Sequence, residues 1–215
     1  MMRTGHVAAL VLCLGGCTTA VEDRVQFYNT DGVHLFQAGN YQGAGESFQA
    51  ALALEPTDVN LRFNLARCYD REGDSANAEK LYRECLVAAP NHGACHHALA
   101  VLLVHQGRQP EAEQLIHNWL AREPKRPTPY AEEAWLLHQQ GDLPLAQARL
   151  QQAFDLDPHD VRTLVELARI YEATDRPDRA LVLYERALAL DPHDSEIAAR
   201  LDRLRTRGVK SPHPD

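Results

Sequence analysis

The 215-residue chain lacks the motifs that carry most enzymatic chemistry. It has no glycine-rich loop ending in Gly-Lys-Ser/Thr, no Gly-x-Ser-x-Gly elbow and no His-Glu-x-x-His pair. Gly43-Ala44-Gly45-Glu46-Ser47 has the glycines of a phosphate loop, but no predicted strand precedes it and it has no lysine. Glu132 and Glu133 are adjacent on one predicted helix, so their carboxylates diverge, and no nucleophile pairs with a base. No catalytic activity and no cofactor are expected. Positive charge is short as well: 22 Lys and Arg stand against 30 Asp and Glu, for a formal net charge of −8. That balance disfavours nucleic acid and anionic headgroups and permits basic protein segments. A metal site is also not expected. His92, His96 and His97 gather near Cys95, but His96 and His97 diverge by about 100° around a helix, and His97 and His105 are two turns apart. Scattered surface or groove histidines are the expectation.

What the chain does have is a fixed step. Pro56, Pro90, Pro124, Pro158 and Pro192 stand 34 residues apart, and Gly39, Gly73, Gly107 and Gly141 fall in the same register. Ala44, Ala78, Ala112, Ala146 and Ala180 follow in turn. Within each unit the apolar residues recur at i, i+3 and i+4, as in Tyr82, Cys85, Leu86 and Tyr184, Ala187, Leu188, which predicts amphipathic helices. Pro110, Pro144 and Pro177 fall where second helices start, and a proline in a first turn forfeits no hydrogen bond. Asp58, Asp160 and Asp194 precede first helices, where a carboxylate accepts orphan N–H groups and meets the positive end of the helix dipole.

This pattern resembles the tetratricopeptide repeat, in which small residues sit where two antiparallel helices cross and a proline closes the second helix. The resemblance implies an all-α solenoid of five hairpins, 25–58, 59–92, 93–126, 127–160 and 161–194, with a capping helix at 195–207. The close-packing pairs would be Asp31-Gly32, Leu65-Ala66, Leu99-Ala100 and Leu167-Ala168. Two positions depart from the pattern: Glu133 replaces an aliphatic residue and Asp175 a turn glycine. Gly43 and Gly45 at the start of a second helix predict fraying in the first repeat, since each glycine costs up to about 1 kcal/mol relative to alanine. Ile197, Leu201 and Leu204 give the capping helix one apolar face. Residues 208–215 are expected to be disordered. Cys68 and Cys85 occupy small, buried positions of the repeat and Cys95 begins the third unit; a Cys85–Cys95 bridge is conceivable, and an odd count leaves a free thiol.

The N-terminus is the second distinctive segment. Arg3 supplies a positive charge, Val7 to Leu14 form an apolar run too short to span a bilayer, and Leu14-Gly15-Gly16 precede Cys17. This is similar to a bacterial lipoprotein signal with its lipobox, which implies cleavage after residue 16 and lipidation of Cys17. Three acyl chains there would suffice for stable anchoring. Thr18 in place of aspartate implies transfer to the outer membrane, facing the periplasm. Residues 17–24 would form a short tether, about 25 Å at most when extended.

The repeat resemblance also implies a concave groove lined by first helices. Transferred position by position, the groove comprises Asn29, Val33, Phe36, Phe63, Arg67, Arg71, His97, Val101, His105, Trp135, His138, Arg162 and Arg169. Aromatic anchors with arginines between them suit a peptide or helix bearing apolar side chains and some acidic groups. Trp135 is expected on the groove wall, whereas Trp119, at a position that is otherwise small, is expected to be structural. Val33 and Val101 stand where a two-carboxylate chaperone-tail clamp would need asparagine, which argues against that clamp. The expected function is non-enzymatic: a scaffold tethered to the outer membrane that binds an envelope protein and assists assembly or localisation of a complex. Its plan resembles type IV pilus assembly lipoproteins. The alternative is an accessory subunit that recruits substrate for an envelope enzyme, such as a peptidoglycan-modifying complex.

Overall fold

The computed structural model describes residues 14–211, with side chains from Ala20 onward. The apolar run expected in the signal segment, the side chain of Cys17 and the last four residues of the tail lie outside the described residues. Eleven helices and no strand are present among the described residues: α1 Leu14–Gln37, α2 Tyr41–Leu54, α3 Val59–Glu72, α4 Ser75–Ala88, α5 Gly93–His105, α6 Gln109–Arg122, α7 Pro127–Gln139, α8 Leu143–Leu156, α9 Val161–Ala173, α10 Pro177–Leu190 and α11 Ser195–Thr206. They form a tetratricopeptide-type solenoid of helical hairpins, as the register implies. The chain divides inside α5 into two compact units, residues up to 102 and from 103 onward. Residues 17–24, expected as a tether, belong to α1; at about 1.5 Å per residue a helical segment reaches less than half as far as an extended one.

The turn inside each hairpin has one chemistry. Gly39, Gly73, Gly107 and Gly141 all take positive φ, between 72° and 84°. The N–H that follows closes back onto the preceding helix, as in Asn40 to Leu35 O at 2.9 Å and Asp142 to Leu137 O at 3.0 Å. In the fifth hairpin Asp175 takes the same left-handed conformation, φ 56°, and Arg176 N reaches Tyr171 O at 2.8 Å. The backbone geometry is kept although the glycine is gone.

Helix starts are capped as expected at Asp58, Asp160 and Asp194, whose carboxylates accept from backbone N–H groups. Asn40, Asp74 and Asp142 cap second helices in the same way. The Asn40 cap, accepting from Gly43 N at 3.1 Å, holds the first turn of α2, and the helix runs intact to Leu54 where fraying was expected. Gly45 there is buried against Leu65 and Cys68.

The ladder prolines follow the second helices, and their carbonyls have a recurring partner six residues on. Arg62 donates to Pro56 O, His96 Nε2 lies 3.0 Å from Pro90 O, and the Tyr130 hydroxyl donates to Pro124 O at 3.0 Å. These three side chains occupy equivalent positions of successive repeats. His96, expected at the surface or in the groove, is therefore fully buried; a carbonyl can only accept, so Nε2 carries the proton.

The core is built from the repeat's large position, Phe48, Tyr82, Ile116, Leu150 and Tyr184, each at most 1% exposed, packed against the small residues of the crossing helices. Where a hairpin has Gly32, a Cβ would stand 2.7 Å from the Phe48 ring, so the close approach requires glycine. Trp119 is buried where the other repeats have Ala51, Cys85, Ala153 and Ala187. Glu133, the second departure from the pattern, is ion-paired with Arg149 at 3.0 Å and lies 3.3 Å from His117, while Glu132 turns to Arg162 at 3.1 Å. Capping helix α11 buries Ile197, Leu201 and Leu204. The tail departs from expectation at its start: Gly208 takes φ 78°, Val209 N donates to Leu204 O at 3.1 Å, and Val209 packs on the core.

Candidate functional site

Each unit carries a cleft formed mainly by first helices. In the first unit a cleft of about 380 Å³ is walled by Val33, Phe36 and Gln37 at the end of α1, Tyr41 at the start of α2, and Asn64, Arg67 and Arg71 on α3. Residues 67 and 71 are one turn apart and so project from the same face of α3. The Arg67 guanidinium lies 4.4 Å from the centroid of the Phe36 ring, and that of Arg71 lies 4.7 Å from Tyr41. Phe36 and Tyr41 meet edge to face at 5.2 Å. The result is an aromatic shelf with two guanidiniums laid on it, each attracted by the negative ring face. Arg71 also donates to the Tyr41 hydroxyl.

In the second unit Trp135, His138 and Gln139 of α7 face Glu166, Arg169, Glu172 and Ala173 of α9, and Arg200 of α11 closes the end. Trp135 is half-buried in the cleft wall. The arginines there are committed: Arg169 holds Glu166 at 2.9 Å and Glu196 at 2.8 Å, and Arg200 holds Glu196 at 3.3 Å and Glu172 at 3.6 Å. Arg162 pairs with Glu132 and lies 3.5 Å from Glu166. Glu132 and Glu166 are nearly inaccessible, 2% and 3% exposed, so these guanidiniums first compensate buried carboxylates.

The structure thus brings Val33, Phe36, Arg67 and Arg71 together in one cleft and Trp135, His138 and Arg169 in another. Phe63 is not part of the first cleft's lining, but its ring lies 5.8 Å from the Arg67 guanidinium, 5.9 Å from Tyr82 and 5.5 Å from His92. Asn29 and Val101 line neither cleft, His97 is half-buried on α5, and His105 is exposed at the end of that helix. Tyr41, Asn64, Glu166, Glu172 and Arg200 were not anticipated. The signal for Tyr41 was its position directly after the Asn40 cap; Arg200 comes from the capping helix, outside the repeat positions considered.

Among the described residues no group of histidine, cysteine or acidic side chains could hold a metal ion. His92, the neighbour of Cys95, accepts from Cys95 N through Nδ1 at 3.1 Å. Cys68, Cys85 and Cys95 are free buried thiols. The Cys85–Cys95 pair conceived as a bridge is in hydrogen-bond contact, which pushes the Cys95 thiol up and draws Cys85 down.

Comparison with known proteins agrees with this architecture. The sequence matches the tetratricopeptide-repeat family over residues 35–84, 71–132 and 137–204. A thermophilic TPR protein of Thermus thermophilus superposes with a TM-score of 0.64 at 23% identity, over 85% of this chain and 99% of that one. Pseudomonas aeruginosa pilF superposes with a TM-score of 0.55 at 17% identity, over 88% of this chain and 86% of that one. At such identities the likeness is one of fold. A 51-residue stretch is 47% identical to outer dynein arm-docking complex subunit 4 of Danio rerio; it spans 24% of this chain and only 10% of that protein.

Proposed function

The chain belongs to the tetratricopeptide-repeat family, and on that premise we propose that it is a non-enzymatic scaffold, tethered to the bacterial outer membrane, that binds an envelope protein and assists assembly or localisation of a multiprotein complex. Proteins of this family are protein-interaction modules, generally without catalytic activity. The observation that carries the binding role is the pair of clefts on first helices, each combining aromatic side chains with arginines. Trp and Arg dominate the energetics of protein interfaces because they bring large rigid area together with directional donors.

The tether rests on Leu14-Gly15-Gly16-Cys17, preceded by a short apolar run and followed by Thr18. An anchor at Cys17 leaves few residues before the first hairpin, so the scaffold would work close to the membrane and meet partners already held there. Type IV pilus or secretion machinery is one complex that this plan fits. Photo-crosslinking in the producing cell tests the proposal, with the full-length protein carrying a photoreactive residue at position 67 or 135. Envelope assembly proteins captured from either position are the expected result. Capture of cytosolic proteins alone, or of nothing from either position, overturns it.

A further inference from the structure

The two clefts differ in one electrostatic respect. In the second, the arginines have their acids: Arg169 and Arg200 form ion pairs with Glu166, Glu172 and Glu196. In the first, neither Arg67 nor Arg71 has a carboxylate within ion-pairing distance among the described residues, and both are exposed. Their fixed contacts are aromatic. Phe36 and Tyr41 hold the guanidiniums by their faces, and Arg71 spends one N–H on the Tyr41 hydroxyl. Arg67 makes no hydrogen bond among the described residues and Arg71 only the one to Tyr41, so most of their N–H donors remain available.

We propose that this α1–α3 cleft is a receptor for an acidic side chain of a bound peptide, with Arg67 and Arg71 as its donors. The proposal rests on the protein-binding reading above and names the partner chemistry of one of its clefts. The overall charge of −8 would favour basic partners at long range. Within the cleft the sign reverses, since a lysine or arginine brought to this shelf would meet two guanidiniums. A carboxylate meets charge-assisted donors that are already oriented, which lowers the ordering cost of binding. Val33 and Phe36 add an apolar wall beside the donors. The occupant is therefore an aspartate or glutamate next to an aliphatic or aromatic residue. The cleft volume, about 380 Å³, suits a few side chains and not a folded domain.

The test is selection of random twelve-residue peptides displayed on phage, run in parallel on the full chain and on its Arg67→Gln/Arg71→Gln variant. Circular dichroism would verify that the variant is folded, as the exposure of both side chains leads one to expect. Peptides selected on the unaltered protein should be enriched in acidic residues beside apolar ones. A synthetic copy should bind the variant about tenfold or more weakly, and replacing its acid by the amide should weaken binding to the unaltered protein to the same extent. Selected peptides without acidic enrichment overturn the inference and leave the scaffold reading standing. Acidic peptides that bind the variant equally well also overturn it, because their carboxylate is then read elsewhere. If no peptide is selected on either protein, both this inference and the peptide-binding reading fail.

Discussion

At the scale of single residues, two positions show backbone and burial costs that can be measured. Asp175 takes φ 56° at the one hairpin turn without glycine. A side chain in this conformation crowds its own backbone, and glycine carries no such penalty. Asp175→Gly should therefore stabilise the protein by about 1 kcal/mol, read as a higher urea midpoint at unchanged slope; an unchanged or lower midpoint contradicts the assignment of strain. Burial, reinforced by Glu72 and partly countered by Arg67, pushes the Cys68 thiol from 9.0 to about 11. The unfolded chain releases this proton from about pH 9, whereas the folded chain keeps it until about pH 11. The stability is then complete below pH 9 and falls as pH rises through that window. Burial pushes Tyr82 and Tyr184 up as well, with the same sign. The urea midpoint should be flat from pH 7 to pH 8.5 and fall by pH 10, less steeply in Cys68→Ala. A midpoint that rises over this range would show that burial does not govern these groups.

At the scale of elements, each helix boundary has a local cause that sequence displays. Proline in a first turn, aspartate before it and glycine in the turn act on the backbone within four residues, so α6, α8 and α10 begin and α3, α5 and α7 end where those residues stand. Capping helix α11 tests how much one such cause contributes. Asp194 accepts from Glu196 N at 2.8 Å and Ile197 N at 3.0 Å, at the end of the helix that buries Ile197, Leu201 and Leu204. Asp194→Ala should cost about 1 kcal/mol, and Asp194→Ser, which restores an acceptor, should recover most of it. Equal losses in both variants would mean that the carboxylate acts through something other than the cap. Gly32 is the opposite case, a residue explained by another element: its missing Cβ leaves room for Phe48 on α2. Gly32→Ala should destabilise by about 1–3 kcal/mol, because the buried ring has to move; circular dichroism melts would show it.

At the scale of the whole molecule, the clefts were legible only in part, and the reason is distance along the chain. First-helix positions follow from the 34-residue frame, which is why Phe36, Arg67 and Trp135 could be assigned to a groove from sequence. Whether an arginine there is available or committed depends on acids one repeat away: Arg162 meets Glu132 and Arg169 meets Glu196, pairs that no local pattern marks. His96 was misjudged for a similar reason, since its burial follows from a carbonyl on the preceding turn. Removing Arg169 would uncover part of a buried carboxylate as well as a cleft donor, so Arg169→Ala should lower stability along with any binding. Attachment to a membrane is the remaining property of the molecule as a whole. No described helix is long and apolar enough to cross a membrane. In the proposed attachment to the outer membrane the acyl chains at Cys17 would hold the chain, since several chains anchor stably where the acidic protein surface would be repelled by anionic headgroups. Cys17→Ser should therefore disappear from the outer-membrane fraction, and the unaltered protein should carry the added mass of its lipids on an N-terminal cysteine. A Cys17→Ser protein that still floats with the outer membrane after a high-salt wash would rule out the lipid anchor and leave the clefts to be explained in another compartment.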